Sequence, residues 1–480
     1  MRNLTMMTDL YQLTMMNGYL KHGMKDHIAV FDLFFRPLTN HSVYAVMAGL
    51  EQAIEYVENL HFSEDDINYL RSLNIFGEDF IDYLKDFKFT GEIYAVEEGT
   101  PVFPREPLIR VKAPIMEAQL METALLNIIN HQTLIATKAS KVVTAAEGKR
   151  VLEFGLRRAQ GPDAGIYGAR AAMVGGCDGT SNVLTGQLFD VAVGGTHAHS
   201  WVMSFPDELT AFRAYADMYP SGCLLLVDTY NTLKSGVPNA ITVFKELREK
   251  GYEPVGIRLD SGDLAYLSKK ARKMLDDAGF ENAKIFASGD LDEKVIWDLK
   301  MQGAKLDVYG VGTKLITSDD MPALGGVYKL AAEIINGEII PKIKVSENPI
   351  KVTNPGYKQV YRLISKEDNK AYADLITLDD EKIDESKPLT IFDPVDTWKK
   401  MTIENFYAVP LLKPIFIDGK RVYNSPTIKE IQKNHFEQMD ILWDEYKRLT
   451  KPHVYKVDLS QKLFDMKKAL LESAAEGAKK

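Results

Sequence analysis

The sequence predicts an α/β protein: an irregular parallel α/β barrel, an N-terminal α/β domain completed by later antiparallel strands, and a helical C-terminal extension. Three observations carry this. From about residue 150, short continuous apolar runs alternate with helical segments, the pattern of βαβ units in a parallel sheet buried on both faces. Before 140 and after 325 the strands read as antiparallel meanders. From Ser425-Pro426 the text is strongly helical.

In chain order, residues 8–22 read as an amphipathic helix with Thr8 as N-cap. "HIAVFDLFFR" (27–36) is rich in β-formers, and helical text follows at 45–60 and 63–86. "GEIYAVEEGTPVFPREPLIRVKAPI" (91–115) reads as two strands around a Pro/Gly turn, and a long helix occupies 116–147. The barrel runs are "VLEFG", "VAVGG", "LLLVD", "VGIRLD", "KIFASG" and "DVYGVG", with a further strand near 174–178. Helices at 206–219, 235–250, 262–279 and 291–302 lie between many of them. A doubly wound open sheet is the competing arrangement. "VYKLAAEII", "GEIIPKIKV", "KQVYRLI" and "AYADLITL" then form a meander. Ser425 as N-cap and Pro426 at the first position open a helix to about 450, with Ile428, Ile431, Met439, Leu442, Trp443, Tyr446 and Leu449 on its apolar face. The resulting domains are 1–140 (completed by 326–400), 141–325 and 401–480.

The 480 residues carry a net charge of −9 and no Lys/Arg block, which argues against nucleic acid as a partner. No apolar run is long enough to span a bilayer. The N-terminus has no secretory h-region, and two cysteines build no disulfide framework. A cytoplasmic enzyme is the expectation.

In a parallel barrel, chemistry sits at the C-terminal ends of strands. Those ends carry Arg157 and Arg158; Thr196, His197 and His199; Asp228 and Thr229; Arg258, Asp260, Ser261 and Asp263; Ser288, Gly289 and Asp290; and Gly312, Thr313 and Lys314. Helix N-capping accounts for one or two of the Asp, Ser and Thr residues. It accounts poorly for the arginines and histidines. Glycines at the last two strand ends, Gly289 and Gly312 with Thr313, suggest a cradle for a phosphate monoester, although tight βα turns use the same residues. The paired histidines of "GTHAHS" suggest a metal-dependent hydrolase, but such sites need further ligands from later strands. No histidine lies between 200 and 434. A nucleophilic or acid/base histidine beside a phosphate site remains.

"TDLYQLTM" (8–15), "EFGLRRAQGPDAG" (153–165), "GTHAHSW" (195–201), "VDTYNT" (227–232), "GIRLDSGDL" (256–264), "YGVGTKLITS" (309–318) and "NPGYKQVYR" (354–362) together resemble the nicotinate phosphoribosyltransferase family. The resemblance implies a type II phosphoribosyltransferase fold. It implies joining of nicotinate to phosphoribosyl pyrophosphate, with ATP hydrolysis coupled through a phosphohistidine. Mg²⁺ and a homodimer with shared active sites come with it.

By the same resemblance His199 is the phosphorylated residue, and Thr196 meets nicotinate. Tyr11 of the partner subunit and Phe154 sandwich the pyridine ring. Arg258 meets the carboxylate, with Arg157, Thr180, Ser181 and Asp228 also lining the substrate. Gly289, Gly312 and Thr313 hold the ribose 5-phosphate. Asp260 and Asp290 organise the reacting ribose, or Mg²⁺, whose ligands the resemblance does not fix. His197 departs from the family pattern and has no assigned role. In the related nicotinamide-using enzymes an Asp follows the "GT" that here precedes Ser181; a neutral Ser181 favours nicotinate. A quinolinate-using enzyme, which needs several basic residues for two carboxylates, and a barrel that has lost activity are further alternatives.

Overall fold

The computed structural model describes residues 3–38 and 42–477. The chain groups into two compact units: Met1–Leu134 with Ala323–Lys480, and Ile135–Pro322.

The first unit is built on a seven-stranded sheet. Its order is Glu338–Pro341, Gly326–Ile335, Ile28–Phe35, Ile109–Pro114, Glu92–Val96, Leu412–Ile417 and Lys420–Arg421, so strands from the far end of the chain flank the N-terminal ones. Ile28–Phe35 lies between two antiparallel neighbours and is almost wholly buried, which is why its text is nearly continuous apolar. Its one charge, Asp32, is met by the buried Lys358 Nζ at 2.7 Å. Burial pulls the Lys358 ammonium down from its ordinary value, and Asp32 opposes that pull. A second sheet joins Phe406–Pro410, Lys358–Ser365, Ala371–Leu378 and Val457–Leu459.

Three expectations change here. The first helix is Leu10–Lys21 with Asp9 as N-cap, not Thr8; the Asp9 carboxylate accepts the Thr123 hydroxyl at 2.9 Å instead of a helix N–H. The helix expected from Ser425 to about 450 is Ile428–Asp440, and its N-cap is Thr427, not Ser425, because Thr427 and Glu430 form a reciprocal capping box; a separate helix, Gln461–Gly477, follows it. Residues 401–480 hold the helices Ile428–Asp440, Asp444–Lys447 and Gln461–Gly477 and also lend strands to both sheets: Leu412–Ile417 to the seven-stranded one, and Phe406–Pro410 and Val457–Leu459 to the second.

The second unit holds a parallel sheet of β1 (Arg150–Glu153), β2 (Gly179–Thr180), β3 (Leu224–Leu226), β4 (Gly256–Leu259), β5 (Lys284–Ala287) and β6 (Val308–Val311), in the order β2-β1-β6-β5-β4-β3. Helices Pro162–Val174, Val183–Phe189, Glu208–Met218, Val237–Glu249, Leu264–Asp277 and Glu293–Met301 connect these strands. Asn182, Asp207, Asp263 and Asp292 cap four of them, each accepting a backbone N–H in the first turn. Asp263 therefore serves as a helix cap. "VAVGG" does not form a full strand; among the described residues it pairs with the sheet through one parallel bridge, between Thr180 and Val193, since two glycines in five residues offer little side-chain packing.

Candidate active site

The C-terminal ends of β3, β4 and β5 bring their polar residues into one hydrogen-bonded group. Asp228, after β3, uses Oδ2 to accept the Asp260 backbone N–H at 2.8 Å and the Ser261 hydroxyl at 2.7 Å. The Ser288 hydroxyl, after β5, donates to Asp260 Oδ1. Asp260 Oδ2 stays free to face His199 Nε2 at 3.8 Å. Asp228 Oδ1 is buried with no hydrogen-bond partner among the described residues.

His199 opens the short helix His199–Met203, and its Nδ1 lies 3.1 Å from Thr229 Oγ1. Three residues earlier, Thr196 Oγ1 accepts from Arg258 Nη1 at 2.9 Å. Burial pulls the Arg258 guanidinium below its ordinary value, and the charges of Asp260 and Asp228 oppose this. His197 is buried, and its Nε2 accepts the Leu226 N–H at 3.3 Å.

A second group gathers where β1 and β2 end. The Glu153 carboxyl is buried, and it accepts the Gly155 N–H and the Thr180 hydroxyl, the latter at 2.6 Å. Burial pushes its pKa up, and the two hydrogen bonds work against that. Thr180 Oγ1 also accepts the Asn182 N–H at 3.0 Å. Thr180, expected to touch substrate, is fully buried, and its hydroxyl donates to Glu153. Ser181 beside it is half-buried and donates its N–H to the Glu153 carbonyl at 3.0 Å.

Phe154 packs over Gly310, where a Cβ would meet its ring at 2.5 Å. Arg157 is exposed on the single-turn helix Leu156–Arg158. Gly289 has φ +91°, and a Cβ there would lie 2.3 Å from the Asp260 carbonyl oxygen, so the β5 turn requires glycine. Asp290 is exposed at φ +38°. Gly312 precedes the short helix Thr313–Ile316, and Lys314 Nζ ion-pairs with Asp292 at 2.7 Å. Tyr11 lies in the first unit, half-exposed on helix Leu10–Lys21.

Thr229 and Ser288 stood among the strand-end residues without a specific role, and Glu153 was given none from sequence. Glu153 had a signal: a carboxylate inside the apolar run "VLEFG" is a charge that burial makes costly unless it is bonded. Among the described residues no group of three or more His, Cys, Asp and Glu is arranged to hold a metal ion. Mg²⁺ commonly takes only one or two carboxylates plus substrate phosphates. The unpaired Asp228 Oδ1 and the free Asp260 Oδ2 fit that requirement.

Models of the nicotinate phosphoribosyltransferase family match three stretches: its N-terminal domain at 6–130, the family itself at 149–355 and its C-terminal domain at 357–467. A nicotinate phosphoribosyltransferase of Bacillus subtilis is 51% identical over 459 residues, covering 96% of this chain and 93% of its own. The crystal structure of human nicotinic acid phosphoribosyltransferase superposes with a TM-score of 0.86 at 31% identity, over 96% of this chain and 99% of that one. A nicotinate-nucleotide pyrophosphorylase from Pyrococcus furiosus is more distant, with a TM-score of 0.69 at 25% identity, over 91% and 95%. Matched along nearly its whole length, the chain belongs to the nicotinate phosphoribosyltransferase family.

Proposed function

We propose that this enzyme joins nicotinate to phosphoribosyl pyrophosphate, giving nicotinate mononucleotide and pyrophosphate, and that ATP hydrolysis is coupled through a phosphohistidine at His199. The observation that carries the reading is the setting of that side chain: Nδ1 lies against Thr229 Oγ1 and Nε2 opens toward Asp260. With the Nδ1 proton given to Thr229, the Nε2 lone pair is free for nucleophilic attack. Nε2 attacks the γ-phosphorus of ATP, a P–N bond forms and ADP leaves. Water later breaks that bond and releases phosphate.

Thr196 and Arg258 suit the nicotinate carboxylate, since a guanidinium already holding a hydroxyl offers further N–H groups in the same plane. Phe154 supplies one flat wall for the pyridine ring. The second wall would be Tyr11 of the partner subunit, in a homodimer with shared sites, and half-exposure of that ring leaves it available. Gly289, Gly312 and Thr313 would hold the 5-phosphate, with Arg157 and Ser181 at the rim. Asp260 and Asp228, with the substrate phosphates, would hold Mg²⁺, which when bound offsets the charge of the departing pyrophosphate, and Asp290 would organise the reacting ribose. The six parallel strands would close into an irregular barrel across the gap beside β3.

The test is a product assay with labelled phosphoribosyl pyrophosphate, offering nicotinate, nicotinamide and quinolinate with and without ATP. Nicotinate mononucleotide is the expected product, with ATP stimulation lost in His199→Ala. Preference for nicotinamide, or full ATP stimulation in that variant, would overturn the reading.

A further inference from the structure

The parallel sheet has an open seam. Among the described residues β3 pairs with one strand, β4, and the segment carrying Val193 is joined to the sheet by a single bridge, at Thr180. Val227 N–H donates to the Arg258 carbonyl across the β3–β4 pairing at 3.2 Å. Alternation along the chain therefore turns the Leu226 N–H to the open side. Leu226 is fully buried, so that N–H would be a costly orphan without a partner. His197 Nε2 is the partner, at 3.3 Å. The imidazole is also held by its neighbours, with its centroid 4.7 Å from the Tyr215 ring and 6.3 Å from Phe212. It lines a cavity of about 540 Å³ with Thr196, Trp201 and Tyr219. Burial keeps the ring neutral, pulling its pKa down to about 4, so Nε2 can serve as an acceptor at neutral pH.

Thr196, one residue before, is bonded to Arg258; His199, two residues after, faces Thr229 and Asp260. We propose that His197 is a positioning residue: its imidazole bridges the seam between the Val193 segment and β3, and so holds Thr196 on Arg258 and His199 on Thr229 and Asp260. This rests on the roles given above to Thr196 and His199.

Three variants of the full-length enzyme test it. Gln places its amide oxygen where Nε2 stands, Asn is too short to reach Leu226, and Leu fills the space without an acceptor. Exchange of the Leu226 amide hydrogen reads the bond itself, and the nicotinate KM and ATP stimulation read the site. His197→Gln should keep the amide slow and the KM within about twofold of wild type, while His197→Asn and His197→Leu should speed exchange and raise the KM about tenfold, the size expected for one lost hydrogen bond. The proposal is overturned if His197→Leu matches wild type in KM and ATP stimulation, or if His197→Gln loses as much as His197→Leu. A wild type that ignores nicotinate would sink the functional reading instead; the exchange pattern and the KM of whichever pyridine it uses would still decide the role of His197.

Discussion

His199 Nδ1 and Thr229 Oγ1 lie 3.1 Å apart, which fixes the imidazole so that its other nitrogen points at Asp260. Removing the hydroxyl should cost orientation, not binding. Thr229→Val is expected to slow phosphohistidine formation from ATP about tenfold, with the nicotinate KM unchanged. Rapid-quench labelling with γ-labelled ATP measures the first quantity and steady-state kinetics the second.

Arg258 and Thr196 should behave as a pair. A charged hydrogen bond lost at a half-buried site costs about 10- to 100-fold in affinity. Arg258→Met should raise the nicotinate KM by that range, and Thr196→Val by about tenfold or less. Combining the two should cost less than the product of the single losses, because each single change already breaks their shared bond. A double-mutant cycle on KM reads this directly.

Gly289→Ala combines a strained φ with a Cβ pressed on the Asp260 carbonyl. The β5 turn must shift to accommodate it. Thermal melting should show destabilisation of about 1–3 kcal/mol, and the KM for phosphoribosyl pyrophosphate should rise more than that for nicotinate.

The buried Glu153 gives a pH signature. Its folded pKa is raised by burial, so its stabilising contribution is full below the unfolded carboxyl pKa and is lost as pH rises through the folded value. Glu153→Gln cannot titrate. The melting temperature of wild type minus that of the variant should therefore grow as pH falls toward the ordinary carboxyl range. A difference that stays flat with pH would show that folding does not raise the Glu153 carboxyl pKa.

His197 should show the opposite sign. Its folded pKa is depressed to about 4, so its contribution is present above the unfolded imidazole pKa and is lost as pH falls toward the folded one. Wild type should lose stability relative to His197→Gln between about pH 6.5 and pH 4, as read by melting curves across that range.

Shared sites can be tested by mixing. Tyr11→Ala and His199→Ala should each be impaired alone. Subunits of the two co-expressed in equal amounts should recover about a quarter of wild-type sites, since half the dimers are mixed and each holds one intact site. No recovery would place Tyr11 outside a shared site.

The sequence by itself determined the parallel strands, the residues at their C-terminal ends and the family, because apolar runs and short motifs are local properties of the text. "LLLVD", "VGIRLD" and "KIFASG" became β3, β4 and β5, with Asp228, Asp260 and Ser288 following them. Helix starts were legible only where competing caps could be ranked: Thr427 displaced Ser425 because only Thr427 has Glu430 at the reciprocal position. Tertiary structure alone decided the partners of buried polar groups. The Thr180 hydroxyl is taken by Glu153, 27 residues away in sequence. His197 looked like half of a paired motif until the open edge of β3 presented the Leu226 N–H to it, 29 residues further on. Neighbouring letters could not show this, because a buried donor selects its acceptor by position in space, and only strand order brings those positions together.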